Sequence, residues 1–213
     1  ALIGHSMGEY TAAHLSGVLT LEEALHLVLL RGQLFETLPA GAMLSVAMDP
    51  NELRTLMSPG LDIAAINAPM LCVASGPVAL VDELQRTLAA RGVDTRHVRV
   101  AVAAHSRMVD PILEEFRAFF SRVTLRPPQV PLLSNATGAW LTSAEAVDPE
   151  YWVGHLRHTV RFAEGLRELF RRPWDGSVLL EVGPGRTLAS LAQVHPDRPP
   201  LQPVLTSARH PDE

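Results

Sequence analysis

The chain contains no lysine, and all 18 of its basic residues are arginine. Set against 23 Asp and Glu, they leave a formal net charge of -5. Without a basic stripe, a general nucleic-acid binder is excluded. The bias toward Arg reads as codon usage, because the two cations perform alike at most exposed sites. Cysteine occurs once, as Cys72 in an apolar run. No internal disulfide can form, a buried structural thiol is expected, and the cytoplasm fits. No apolar run approaches the roughly 18 residues that span a bilayer, so no membrane partner is expected. A signal-like N-terminus is also lacking. What is present is 47% hydrophobic and 19% charged residue over 213 positions. That suffices for one large domain, or a large domain with an insert, and argues against disorder.

Ala1-Leu2-Ile3 reads as the end of a buried strand running into the turn Gly4-His5-Ser6-Met7-Gly8 and a helix over 7–17. Thr20 and Glu23 form a capping box opening a helix from Leu21 to about Leu38. In it Ala24, Val28, Arg31 and Phe35 share one apolar stripe. From Gly41 the pattern becomes strand 42–48, helix from Asp49-Pro50 to about Met57, strands 61–66 and 71–74, helix 78–90 and strand 95–102. This βαββαβ order is the ferredoxin-like arrangement. A helix from Met108 to about Arg122, a strand 130–134, a helix around 161–171 and a strand 177–182 return to the larger unit. The fold class is therefore α/β, a hydrolase-like core with a ferredoxin-like insert. The segments are 1–40, the insert 41–102, 103–195, and a proline-rich tail 196–213 expected to be a linker or loosely packed.

Gly4-x-Ser6-x-Gly8 has the form of a nucleophile elbow, a sharp strand-to-helix turn that projects the serine hydroxyl beside the next backbone N–H. The flanking glycines are expected to let the two elements approach closely. Such a pattern arises by chance in roughly one chain in fifteen of this size, so its strand-turn-helix context decides the reading. Among nine histidines, His105 is the candidate base, because it lies where the insert ends and clefts form between subdomains. His5 is expected to line the site with its ring away from the serine hydroxyl. His155 and His158, three apart, could share a helical face but lack a third metal ligand. Arg31 is costly on an apolar stripe unless it meets an anion, which its planar fork binds through two hydrogen bonds. An internal Asp or Glu, a substrate carboxylate, and a rim position from which the side chain snorkels to water are the alternatives.

Gly4-His5-Ser6-Met7-Gly8-Glu9 resembles the GHSxGE motif of malonyl-CoA:acyl-carrier-protein transacylases and polyketide synthase acyltransferase domains. Leu30-Arg31-Gly32-Gln33 matches the family's carboxylate-binding arginine, and Ala104-His105-Ser106 with Met108 and Pro111 its histidine segment. Asn67-Ala68-Pro69, Ser134-Asn135-Ala136-Thr137-Gly138, Val160-Arg161-Phe162 and Glu181-Val182-Gly183-Pro184-Gly185 resemble further blocks in the same order. The resemblance covers about residues 1–195. It implies ping-pong transfer of an acyl group from malonyl-CoA, or a C2-substituted malonyl-CoA, through Ser6 to the phosphopantetheine of an acyl carrier protein, among neighbouring synthase domains. It further implies a Ser6–His105 dyad with no catalytic carboxylate, and an oxyanion met by the Met7 N–H. The histidine would be oriented by a backbone carbonyl near residues 181–185. His5, Met7, Arg31, Asn67 and Ala104 would contact substrate, with no permanently bound cofactor and no metal.

Two departures qualify the resemblance. The family's other oxyanion donor lies on a loop well upstream of the elbow, so the N-terminal part of the core falls outside this chain and the 213 residues alone are expected to be inactive. Val102-Ala103-Ala104-His105 matches neither family signature for extender choice, HAFH or YASH. Met7 leans toward malonyl, whereas Ala104 leaves room for a C2 substituent. Malonyl is the expectation, with methylmalonyl and ethylmalonyl as alternatives. The competing classes are a serine esterase, for which Arg31 has no role and His105 lies too early, and a scaffold without chemistry.

Overall fold

In a computed structural model, residues 1–172 and 176–208 are described. Strand β1 (Leu2–Ile3) runs through the turn at Gly4–Ser6 into helix α1 (Met7–Leu15). Helix α2 (Leu21–Glu36) opens with both halves of the Thr20–Glu23 capping box formed, a cap worth about 1 kcal/mol. Its Ala24, Leu27 and Leu34 join Tyr10, Phe116 and Trp152 in a core that packs the two helices together.

The next segment comprises β2 (Gly41–Val46), α3 (Pro50–Leu56), β3 (Asp62–Ala68), β4 (Leu71–Pro77), α4 (Val78–Ala89) and β5 (Thr95–His97). Asp49 caps α3 by accepting from the N–H groups of Asn51 and Glu52, with Pro50 at the first turn. The strands form one antiparallel sheet in the order β3-β4-β2-β5. Alternation places Leu44, Val46, Cys72 and Ala74 on the face covered by Leu53 of α3 and Val81, Leu84 and Leu88 of α4. Cys72 is fully buried there, and burial pushes its thiol up to about 11.

The expected strand over 95–102 stops at His97. Beyond it Val98 and Val100 are exposed, so no buried face sustains the alternation, although the Gly41 N–H still bonds to the Ala101 carbonyl. The expected helix over 108–122 is also divided. A 3-10 turn at Arg107–Ile112 precedes α5 (Leu113–Phe120), because Pro111 has no N–H for an i→i−4 bond.

There follow β6 (Leu132–Leu133), α6 (Ser143–Ala146), α7 (Pro149–Arg157), α8 (Phe162–Phe170), β7 (Leu179–Glu181), α9 (Thr187–Gln193) and β8 (Val204–Thr206). Helices α6, α7 and α9 go beyond the expected elements. The tail is not loose throughout, because β8 pairs in parallel with β7 and buries Gln202 just ahead of it. Its residues 209–213 lie outside the described residues. β1 pairs in parallel with β6, bringing residues 134–135 beside the elbow. Val160 makes a parallel bridge to β3, with Ile66 N–H to Val160 O and Val160 N–H to Ala64 O, both at 2.8 Å. That bridge ties the end of α7 to the small sheet.

Candidate active site

The elbow has the geometry its glycine permits. A Cβ on Gly4 would stand 2.3 Å from the Glu9 backbone nitrogen, so only glycine lets β1 and α1 approach this closely. Gly8 is different: nothing lies within 4 Å of where its Cβ would be, and the close approach expected there is absent. Ser6 adopts φ 52° and ψ -116°, a sparsely populated conformation costing about 1–3 kcal/mol. From it Ser6 Oγ reaches His105 Nε2 at 2.7 Å.

His105 also has a positive φ, 55°. Its Nδ1 donates to the His158 carbonyl at 2.9 Å, which leaves Nε2 unprotonated toward the serine hydroxyl. The expectation of a carbonyl near 181–185 is thus corrected to His158. This residue ends α7 in an extended conformation, and the Val160 bridge fixes its position. Glu181 instead caps α9, accepting from the N–H groups of Leu188 and Ala189. Burial, then the neighbouring charges of His155 and Arg31, lower the His105 pKa to about 3, so its ring is neutral near pH 7.

Arg31 lies on the other side of the serine, its Nη2 3.4 Å from Ser6 Oγ and its Cζ 4.6 Å from the centre of the Phe35 ring. Among the described residues it has no ion-pair partner, so the internal carboxylate considered from sequence is not there. Burial lowers its pKa, opposed by Tyr10 nearby.

His5 turns to Asn67, with its Nε2 2.8 Å from Asn67 Oδ1, and packs its ring on Phe162. Ala104 adjoins the base, and its carbonyl accepts a 2.8 Å bond from Ser75 Oγ. Met7 is half-exposed beside Ser6 at the first position of α1, where a helical N–H has no acceptor within the helix. His155 and His158 do not share a face: His155 is buried against Tyr10 and Trp152, whereas His158 is exposed. A cleft of about 620 Å³ includes His158, Ile66 and Arg161 in its lining but none of Ser6, His105 and Arg31.

Asn135 and Glu9 stand in motifs of the sequence, which assigns neither a role. Asn135 Oδ1 accepts the Ser6 N–H at 2.7 Å, and its Nδ2 donates to the Gly4 carbonyl at 2.8 Å. Glu9, fully buried, accepts the Asn135 N–H at 2.7 Å and the Tyr151 hydroxyl at 2.5 Å. Gly4, His5 and Ser6, with Glu9 one turn on, are legible as a motif. Asn135 stands in its own block, and nothing local marks it as their partner.

A serine on a strand-to-helix elbow, met by a histidine within an α/β fold, defines the class of serine acyl-transfer folds. The sequence matches the family described as acyl transferase domain over residues 1–194, and the chain belongs to that family. It is 39% identical over 211 residues to a phenolphthiocerol/phthiocerol polyketide synthase subunit of Mycobacterium tuberculosis, covering 99% of this chain and 14% of that protein. It is 37% identical over 211 residues to the spectinabilin polyketide synthase system protein NorB of Streptomyces orinoci, covering 97% of this chain and 10% of that protein. Among solved structures, the acyl transferase domain of SpnD in complex with 2-(pent-4-yn-1-yl)malonyl superposes with a TM-score of 0.92 at 43% identity. The match covers all of this chain and 51% of that one. The acyltransferase domain from the second module of the salinomycin polyketide synthase gives 0.91 at 41% identity, over 98% of this chain and 49% of that one. The chain thus spans about half the length of these solved acyltransferase chains.

Proposed function

We propose that the chain carries the catalytic centre of an acyltransferase that loads a malonyl-type group from CoA onto Ser6 and passes it to the phosphopantetheine thiol of an acyl carrier protein. The observation that carries this reading is the convergence on one hydroxyl of a neutral imidazole at 2.7 Å and, at 3.4 Å, a guanidinium with no carboxylate partner among the described residues. The imidazole takes the proton as Ser6 attacks the thioester carbon. The tetrahedral adduct then expels CoA thiolate, which recovers the proton from His105. The acceptor thiol repeats the sequence in reverse, giving up its proton to His105 and returning Ser6 as the hydroxyl. The Arg31 fork holds the free carboxylate of the acyl group, so a malonyl group is preferred to an acetyl group. The substituted malonyl group in the SpnD complex supports a carboxylated acyl donor.

The Met7 N–H is the elbow's oxyanion donor, because the Ser6 N–H is taken by Asn135. His5, Asn67 and Ala104 line the acyl pocket in this reading. Malonyl is the extender, on Met7, with Ala104 leaving space for a C2 substituent. Residues 41–102 form a ferredoxin-like subdomain set into the hydrolase-like core made by 1–40 and 103–195. The setting is the cytoplasm, beside other synthase domains, with no resident cofactor.

The test is intact-mass analysis of the full-length protein after incubation with malonyl-, methylmalonyl- and acetyl-CoA. A carboxylated adduct is expected, absent in Ser6→Ala. In Arg31→Ala, malonyl loading is expected to fall about 10–100-fold relative to acetyl, the loss of a charge-assisted pair. Loading that ignores Arg31 would contradict the carboxylate assignment.

A further inference from the structure

We infer that Asn135, held in place by Glu9, is the positioning residue for the nucleophile, clasping the two peptides that lead into Ser6 while the Glu9 N–H holds the peptide that leaves it, and so fixing the conformation from which the hydroxyl meets His105. The inference rests on the Ser6 reading above and adds what keeps that serine where it is.

The strained backbone at Ser6 relaxes by rotation of its flanking peptides unless both are fixed. Asn135 and Glu9 fix them together: Asn135 takes the Ser6 N–H of the preceding peptide, and the Glu9 N–H holds the Ser6 carbonyl of the following one. Asn135 Nδ2 donates to the carbonyl of Gly4 at 2.8 Å and Oδ1 accepts the N–H of Ser6 at 2.7 Å, so the side chain straddles His5 and joins the two peptides that lead into Ser6. A carboxylate lacks the donor for Gly4 and an apolar side chain lacks both groups. The remaining polar groups of Asn135 are engaged as well. Its carbonyl accepts from the Arg161 N–H at 2.8 Å and its N–H donates to Glu9 Oε2 at 2.7 Å. The Glu9 N–H in turn donates to the Ser6 carbonyl at 2.9 Å. The three residues close a ring of hydrogen bonds, from Ser6 to Asn135 to Glu9 and back to Ser6.

Glu9 is 0% exposed and Asn135 2% exposed, so water does not compete for these bonds. Among the described residues Glu9 has no Arg paired with it. Its oxygens are held by the Asn135 N–H and the Tyr151 hydroxyl, with His155 Nε2 3.4 Å away. A buried carboxylate so placed is a poor device for stability alone, whereas two oxygens that both accept are what the Asn135 N–H and Tyr151 require. Asn135 bonds to the Ser6 N–H and Glu9 to the Asn135 N–H, and neither touches the serine hydroxyl. Both therefore act through Ser6.

The test compares variants of the full-length protein in single-turnover acylation by malonyl-CoA, alongside the affinity for a non-transferable malonyl-CoA thioether and the thermal midpoint. In Asn135→Ala the acylation rate constant per acylatable site is expected to fall about 100-fold, the scale of a misplacement near 1 Å, with thioether affinity changed less than about threefold. Asn135→Asp keeps the acceptor for Ser6 and loses the donor for Gly4, and is expected to fall about tenfold. A merely structural role would lower the thermal midpoint and the acylatable fraction while leaving the rate per site unchanged. Asn135→Ala acylating within about threefold of the parent rate per site would overturn the inference. If that variant does not fold, Tyr151→Phe replaces it. A rate a few-fold lower supports the clasp, and an unchanged rate overturns the Glu9 limb. Acylation that survives Ser6→Ala instead sinks the Ser6 reading itself, whereas acylation that needs Ser6 but not Asn135 overturns only this inference.

Discussion

Ser6 and His105 are the two non-glycine residues with positive φ among those described, and they face each other across 2.7 Å. They are held by different means. Ser6 is fixed by a buried polar ring, through the side chains of Asn135 and Glu9. His105 is fixed mainly by backbone and close packing: a Cβ on Gly41 would stand 2.6 Å from the Ala103 nitrogen, Ser75 Oγ holds the Ala104 carbonyl, and the His158 carbonyl holds the ring. Beyond the close backbone approach each side needs at a glycine, Ser6 is held by a buried side-chain network and His105 by bonds at backbone carbonyls. Changes of side-chain polarity should therefore disturb the nucleophile, and displacements of the backbone the base.

The largest effect expected on this contrast comes from His105→Ala. Removing the base should lower the rate of acyl loading about 1000-fold, within the range for general-base catalysis. The thermal midpoint should fall slightly, because alanine keeps the positive φ and leaves a small cavity where the ring was. Rapid-quench mass measurements and a melting curve check both halves.

Next in size is Gly41→Ala, which tests the base's side alone. The added methyl meets backbone rather than a flexible side-chain end, and a destabilisation of about 1–3 kcal/mol is expected from overpacking, with slower loading as residues 103–105 shift. Denaturant titration measures the first effect. A fully tolerated methyl would show that packing does not hold the base.

The broadest effect, spread over several pH units, is on pH. His105 has its pKa lowered from 6.5 to about 3 when folded. Between those values the unfolded chain binds a proton that the folded site refuses, so stability rises with pH across the window. The contribution is fully present above 6.5 and is lost progressively as pH falls toward 3. Unfolding free energies measured from about pH 7 to about pH 4 should decline, less steeply in His105→Ala. The acid limb of loading should likewise fall well below 6.5.

The same contrast explains how much was legible in the sequence. The small sheet was readable because Leu44, Val46, Cys72 and Ala74 alternate and because Thr20, Asp49 and Pro50 punctuate the helices. The elbow, His105 and Arg31 were readable as residue types with chemistry. The His158 carbonyl was not, since every residue has a carbonyl and only the end of α7 singles this one out. That helix carries its own signal, Asp148 capping it with Pro149 in the first turn, as does α6 with its Thr142–Glu145 capping box. Both signals stand in a stretch where the expected elements skip from strand 130–134 to the helix around 161. The Asn135–Glu9 bond spans 126 residues, and no periodicity encodes such a pairing. Strand β8 was hidden by the prolines around it, since an edge strand tolerates them.

Where the acyl group goes tests the proposed site most directly. Full-length protein, mixed with malonyl-CoA and quenched within one turnover, would be digested and its acylated peptide sequenced by mass spectrometry. The expected result is a malonyl group on Ser6, formed at a rate that falls when His105 is replaced. A malonyl group on any other residue, or a rate indifferent to His105, would contradict it.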